Sequence, residues 1–320
     1  MIRPLALTFA LAATAAGAFD LQMPLDCTLG DTCFIQQYVD RDPSPGVTDF
    51  TCGPLAYDGH EGTDFALPSL AAMQTGVAVR AAAPGVVKGG RDGMPDIAVN
   101  TPGAPPLEGR DCGNGVLIEH DGGWQTQYCH MKQGSVAVRA GDVVAAGAVL
   151  GQVGLSGNTE FPHLHLTLRR DGRTIDPFDP DEVLTCGAPP APALWATPLP
   201  YQPGGLIALG FATEVPAFDA LKAGLASPAT LPADAPALVL WAYAFGSRAG
   251  DALVLAITGP AGQIINESMA LDRTQAQLFR AAGLRLPPAG WPAGSYSGTA
   301  TLVRGNETID TGTITLIVGN

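Results

Sequence analysis

Apolar residues along this chain fall in short runs bounded by glycine, and they alternate with polar ones more often than they follow a helical period. From Gly76 the runs read GVAVRAAAPGVVKGG and then, from Gly115, GVLIEHDGGWQTQYCHM, where DGG at 121–123 turns one strand back on the next. That hairpin sets His120 near its turn and His130 at its far end. The evenly spaced glycines and valines of 136–154 also occur in lipoyl and biotinyl carriers, but no lysine sits there in a tight turn to be modified. HLHLTLRR at 163–170 follows, then a hairpin at DGR, 171–173, so 60–180 predicts antiparallel β-structure throughout. Alternation sends His163 and His165 to one face of their strand, which is either wet or in need of two imidazoles.

Farther on, ALVLWAYAF, DALVLAIT, YSGTATLVR and GTITLIV are strand-length segments with turns between them. They predict a small Ig-like β-sandwich over 206–320, so the chain reads as all-β. That segment has no histidine and no cysteine, which argues against chemistry there. Between the two β regions, 187–205 contains six prolines and reads as a linker isolating two folding units. The sandwich would then position the first unit, by binding a polymer or a protein partner. Residues 19–57 carry turn signals and little periodicity, and are expected to be an irregular, disulfide-tied lead-in to a domain over 58–186.

The first 18 residues combine Arg3, an apolar core and an Ala16-Gly17-Ala18 ending, the form of a cleavable secretory signal. A periplasmic or secreted protein without a transmembrane segment is expected. Cysteine usage agrees with export: the six cysteines form an even set without a CxxC pair, which favours disulfides over zinc thiolates. Cys112 and Cys129 flank the hairpin strands and can bridge if register allows; a Cys129 thiol nucleophile is the rival. Cys27, Cys33, Cys52 and Cys186 permit three pairings. A formal net charge of −13 argues against nucleic-acid binding.

Four of the five histidines lie in three short places: His60 in YDGHEGTDF, His130 in TQYCHMK, and His163 with His165 in FPHLHL. Neutral imidazoles with the carboxylate of Asp64 suit zinc, and three ligands with one open position are what a hydrolytic site needs. His120, beside Asp121 at a turn, is better read as structural. Glu61 resembles the glutamate of HExxH, but residue 64 is Asp, so that motif is incomplete and Glu61 reads as an exposed loop residue.

HxxxD, a tyrosine-preceded histidine and HxH, in this order, resemble the M23 family of zinc metallopeptidases, the lysostaphin or LytM type. GHEGTDFAL, GNGVLIEHDGGWQTQYCHM and VRAGDVVAAGAVLG extend the resemblance over about Asp58 to Pro177. It implies that His60, Asp64 and His165 hold Zn²⁺, that His130 and His163 are the catalytic pair, and that zinc-activated water hydrolyses peptide bonds of peptidoglycan, in cross-links or stems. The family's small, glycine-rich approach to the HxH motif is here NTEFPHLH, bringing in Glu160 and Phe161, and Thr167 stands where an acid is common. These departures bear on substrate preference and on support of the ligands. Some LytM-type domains are non-enzymatic regulators that activate a cell-wall amidase; they have lost zinc residues, whereas all five positions are kept here.

Overall fold

The computed structural model describes residues 19–181, 186 and 193–319, so the expected signal at 1–18 lies outside the described residues. The first half is built from short strands: β1 (Phe34–Gln37), β2 (Thr63–Ala66), β3 (Ala78–Arg80), β4 (Gly85–Arg91) and β5 (Asn114–Glu119). β6 (Trp124–Met131), β7 (Val143–Val144), β8 (Val149–Gln152), β9 (His163–Arg170) and β10 (Arg173–Thr174) complete it. The principal sheet runs β1-β2-β9-β6-β5-β4-β7, with β10 on β9 and a separate β3-β8 pair, and its pairings are antiparallel.

Alternation explains how this sheet is covered. On β9 the leucines 164, 166 and 168 point to the core with Phe65, Ile118 and Tyr128, while His163 and His165 take the other face. One short helix, α1 (Leu70–Thr75), interrupts the expected all-strand region; Ser69 caps it by accepting from the backbone N–H of Ala72. The lead-in is also more ordered than its composition suggests, because its segment 34–37 adds the edge strand β1. Three disulfides join Cys27 to Cys33, Cys52 to Cys186 and Cys112 to Cys129, and no described cysteine is free.

The second half is a two-layer sandwich. β11 (Gly205–Ala212), β12 (Thr230–Pro232), β13 (Ala237–Ser247) and β14 (Ala252–Gly259) are followed by β15 (Gly262–Ala270), β16 (Gln275–Arg285), β17 (Gly294–Arg304) and β18 (Glu307–Gly319); helix α2 (Phe218–Ala223) lies between β11 and β12. The sheets β11-β13-β16 and β12-β18-β17-β14-β15 enclose a core that includes Phe211, Leu240, Leu255, Tyr296 and Leu302. No described helix is long and apolar enough to cross a membrane.

The described part of the proline-rich stretch differs from a free linker. Trp195 is 4% exposed within the first core, Leu21 pairs with it, and the Gln202 side chain accepts from the Ile35 N–H while the Gln202 backbone N–H donates to the Tyr38 hydroxyl. The sandwich then packs directly on the first half, where Phe34 and Phe245 lie 4.4 Å apart and share a cluster with Ala66, Phe161 and Ile207. Prolines removed backbone donors from this stretch, but its large apolar side chains still found a surface to cover.

Candidate metal centre

Strand register brings the expected ligands together. Asp64 of β2 is the direct partner of His165 on β9, and His163 faces Ala66, a small residue that leaves room on the same side of the sheet. His60 arrives from the turn before β2. The intervening Gly62 permits close approach, since a Cβ there would meet His165 Nε2 at 2.6 Å.

His60 Nε2, Asp64 Oδ1 and His165 Nδ1 form a triangle with sides of 3.1, 2.8 and 3.1 Å. Backbone carbonyls only accept, so His60 must carry its proton on Nδ1, donated to the Tyr38 carbonyl at 2.6 Å, which turns the Nε2 lone pair into the triangle. His165 Nε2 is 3.0 Å from Thr167 Oγ1; a proton donated there leaves Nδ1 as the second inward lone pair. With those tautomers two lone pairs and a carboxylate oxygen face one another, an arrangement that suits a cation between them. These three are the group among the described residues whose donor atoms converge to hold a metal ion.

The titrating groups of the cluster act strongly on one another. Burial opposes ionisation of Asp64, yet the surrounding imidazoles, His60 foremost, hold it well below the ordinary carboxylate range. Burial also disfavours charge on His60, but the Asp64 carboxylate and the Tyr38 carbonyl outweigh it and raise its pKa. His165 is lowered, chiefly by burial against the pull of Asp64.

His130 and His163 stand beside this triangle with their ring centroids 4.6 Å apart. Each has its Nδ1–H on a backbone carbonyl, of Ser156 at 2.8 Å and of Phe161 at 3.0 Å, and Nε2 of His163 lies 3.4 Å from Asp64 Oδ1. Burial, then the neighbouring His163 and His165, pushes His130 well below an ordinary imidazole. Strict alternation along β6 would send His130 to the core side with Trp124, Thr126 and Tyr128. A register shift between Asn114 and Val116 on the partner strand and a left-handed His130 (φ 61°) bring it to the histidine face instead. The Cys112–Cys129 bond and the His130 N–H donated to the Cys112 carbonyl at 2.8 Å brace this bulge.

The remaining polar motifs resolve as the sequence suggests. His120 bonds the Pro84 carbonyl and Thr126 Oγ1, a structural arrangement away from the triangle, and Glu61 is exposed, 3.6 Å from Arg169. Two cavities open on the centre and share Tyr57, His130 and Asn158. The smaller, about 210 Å³, extends past Glu61 and Arg169; the larger, about 410 Å³, extends past Gln36, Gln37, Glu160 and Phe161 to Ala276 of the sandwich. Sequence reasoning missed Tyr57, whose ring lies 4.3 Å from that of His60, and Asn158. YDGH and GNTE place both residues beside the motifs, but a loop tyrosine and a loop asparagine carry no periodic signal.

Fold and site together place a candidate metal centre on an antiparallel sheet. Residues 58–177 match the model of Peptidase family M23. The chain is 33% identical over 120 residues to the DD-carboxypeptidase/endopeptidase Mpg of Neisseria meningitidis serogroup B, covering 37% of this chain and 22% of that protein. It is 30% identical over 117 residues to the peptidoglycan DD-endopeptidase ShyA of Vibrio cholerae, with the same two coverages. The chain thus spans under a quarter of the length of these relatives. Among solved structures, the catalytic domain of the prophage-encoded M23 protein EnpA from Enterococcus faecalis is 24% identical and covers 54% of this chain and 100% of its own, with a TM-score of 0.33.

Proposed function

We propose that this protein is an exported zinc endopeptidase that hydrolyses peptide bonds of peptidoglycan, with His60, Asp64 and His165 as ligands and His130 and His163 as the catalytic pair. The observation that carries it is the triangle of inward donors: tetrahedral zinc with bonds of about 2.0–2.2 Å separates its ligand atoms by about 3.3 Å, close to the spacing found. Zinc held there would supply Lewis acidity, polarising a carbonyl and bringing the pKa of water from about 15.7 towards 7.

The chain's own groups do the rest. With Nδ1 of His130 and His163 engaged by backbone carbonyls, Nε2 is the nitrogen each ring can use to take a proton from water and return it to the leaving amine. Their fixed Nδ1–H bonds keep both rings oriented during that exchange. Once protonated, either imidazole is a donor for the oxyanion of the tetrahedral carbon. The peptidoglycan relatives supply the substrate class. Retention of all five residues favours this reading over that of an amidase-activating regulator.

The test is digestion of purified sacculi with metal-loaded protein and identification of new termini by mass spectrometry. New peptide termini that vanish on chelation are expected. An intact sacculus beside a fully metallated protein would refute the peptidase reading.

A further inference from the structure

The larger cavity has a wall that the metal centre does not explain. Its floor includes Gln36 and Gln37 of β1, which are 1% and 8% exposed, yet Gln36 Nε2 and Gln37 Oε1 have no hydrogen-bond partner. A buried amide donor and a buried amide acceptor left unmet are costly unless something entering the cavity meets them. The two residues are neighbours, and regular alternation would send them to opposite faces. The register slips between Ile35 and Gln37, however, and Gln37 comes to pair with Asp64, so the bulge turns both amides towards the space beside the candidate ligands.

The orientation of Gln36 is set from the sandwich. The Tyr243 hydroxyl on β13 donates to Gln277 Oε1 at 2.5 Å, and Gln277 Nε2 on β16 donates to Gln36 Oε1 at 2.7 Å. With its oxygen thus engaged, Gln36 has its Nε2 donors left over, and these cannot be exchanged for the oxygen by a flip without breaking the chain. The neighbouring residue of β16, Ala276, lines the same cavity, and Phe161, stacked on His163 at 4.5 Å, packs against Phe245 and Ile207 of the sandwich.

We propose that Gln36 and Gln37 form a subsite for the main chain of an extended peptide, Gln36 Nε2 donating to a peptide carbonyl and Gln37 Oε1 accepting from a peptide N–H, with Gln277 of the sandwich as the positioning residue for Gln36. This rests on the peptidase reading for its ligand class. The sandwich is therefore a wall of the cleft, beyond any role in attachment. Main-chain recognition at this subsite is indifferent to the side chain carried there, apart from the room left by Phe161 and Ala276.

The test uses the full chain carrying His163→Ala, so that peptide is held uncut, and measures by calorimetry its affinity for a soluble cross-linked muropeptide. Adding Gln36→Ala, Gln37→Ala or Gln277→Ala is expected to weaken binding about tenfold, the loss of one hydrogen bond, with metal content unchanged. Gln36→Ala with Gln277→Ala is expected to bind no more weakly than Gln36→Ala alone, because Gln277 acts through Gln36. A general loosening of the fold would instead make the two losses add. Equal affinity across the set, full additivity of that pair, or no binding by the His163→Ala parent overturns the inference; thermal melts identify any variant that fails to fold, and Gln37→Ala then provides the decision independently of the sandwich contact. The peptidase reading is judged separately by the wild-type digestion, so cleavage without this binding dependence sinks only the subsite, and binding dependence without cleavage sinks only the peptidase.

Discussion

Thr167 Oγ1 lies 3.0 Å from His165 Nε2, and a proton held there leaves Nδ1 to face Asp64 as a lone pair. A threonine at the position where the family often has an acid thus orients the imidazole without adding charge. Thr167→Val is expected to lower metal affinity by about 10- to 100-fold, as loss of a ligand's outer hydrogen bond does elsewhere. Thr167→Ser should stay near wild type, as read by competition with a chromogenic chelator.

Ligands and catalysts should separate by metal content. His60→Ala, Asp64→Ala and His165→Ala each remove a corner of the donor triangle and should purify depleted of metal. His130→Ala and His163→Ala should keep the metal and lose turnover by about 10²- to 10⁴-fold. Elemental analysis beside a peptide assay makes the distinction, and full occupancy in His165→Ala would reverse the assignment.

Reduction should act first on His130. The Cys112–Cys129 bond closes a 17-residue separation beside the left-handed His130, so its loss removes about 3 kcal/mol of stability and frees the bulge. Cys112→Ser with Cys129→Ser should lower both Tm and rate while retaining metal. An unchanged rate would show that the bulge holds its shape unaided.

Ending the chain after Pro189 should damage the first half. Trp195, buried in its core, and the two Gln202 contacts to β1 and Tyr38 would all be lost. Removing the tryptophan alone costs about 3–5 kcal/mol. Calorimetry should show a much lower Tm for 19–189, and cleavage of even a small soluble peptide should fall with it. A shortened chain as stable and active as the whole would restore the picture of two independent units.

Asp176 sets a pH dependence of stability away from the metal centre. Burial first, against the help of the Phe178 N–H and Arg41, raises its carboxyl to about 7. Its folded pKa exceeds its unfolded one of about 3.9, so its contribution is fully present below the unfolded value and is lost as pH rises through about 7. Tm should therefore fall less between pH 5 and pH 8 in Asp176→Asn than in wild type. Parallel Tm profiles would remove Asp176 from the account.

What could be read from the sequence was what repeats with a short period or sits within a few residues. Alternation in HLHLTL placed both imidazoles on one face, the HxxxD spacing put His60 and Asp64 together, and the turn at 121–123 made the Cys112–Cys129 bridge reachable. Bulges break the period that such reasoning uses, so neither the left-handed His130 nor the paired burial of Gln36 and Gln37 was visible. Contacts such as Gln36 to Gln277 join residues 241 apart and leave no local trace. Helix α1 is too short for a helical period to register, and Trp195 sits among prolines that mask its burial.

The bond from Cys52 to Cys186 gives the molecule a covalent perimeter. His60, Asp64, His130, His163 and His165 all fall between those two cysteines, so every group assigned to metal or catalysis belongs to one closed ring of chain. A single cut by a foreign protease in the exposed stretch between β4 and β5 would open that ring without releasing a fragment. The severed ends would stay held by the sheet on both sides. Injury and loss of the site thereby become separate events: a nicked molecule keeps its full set of clustered groups until a second cut or a reductant arrives.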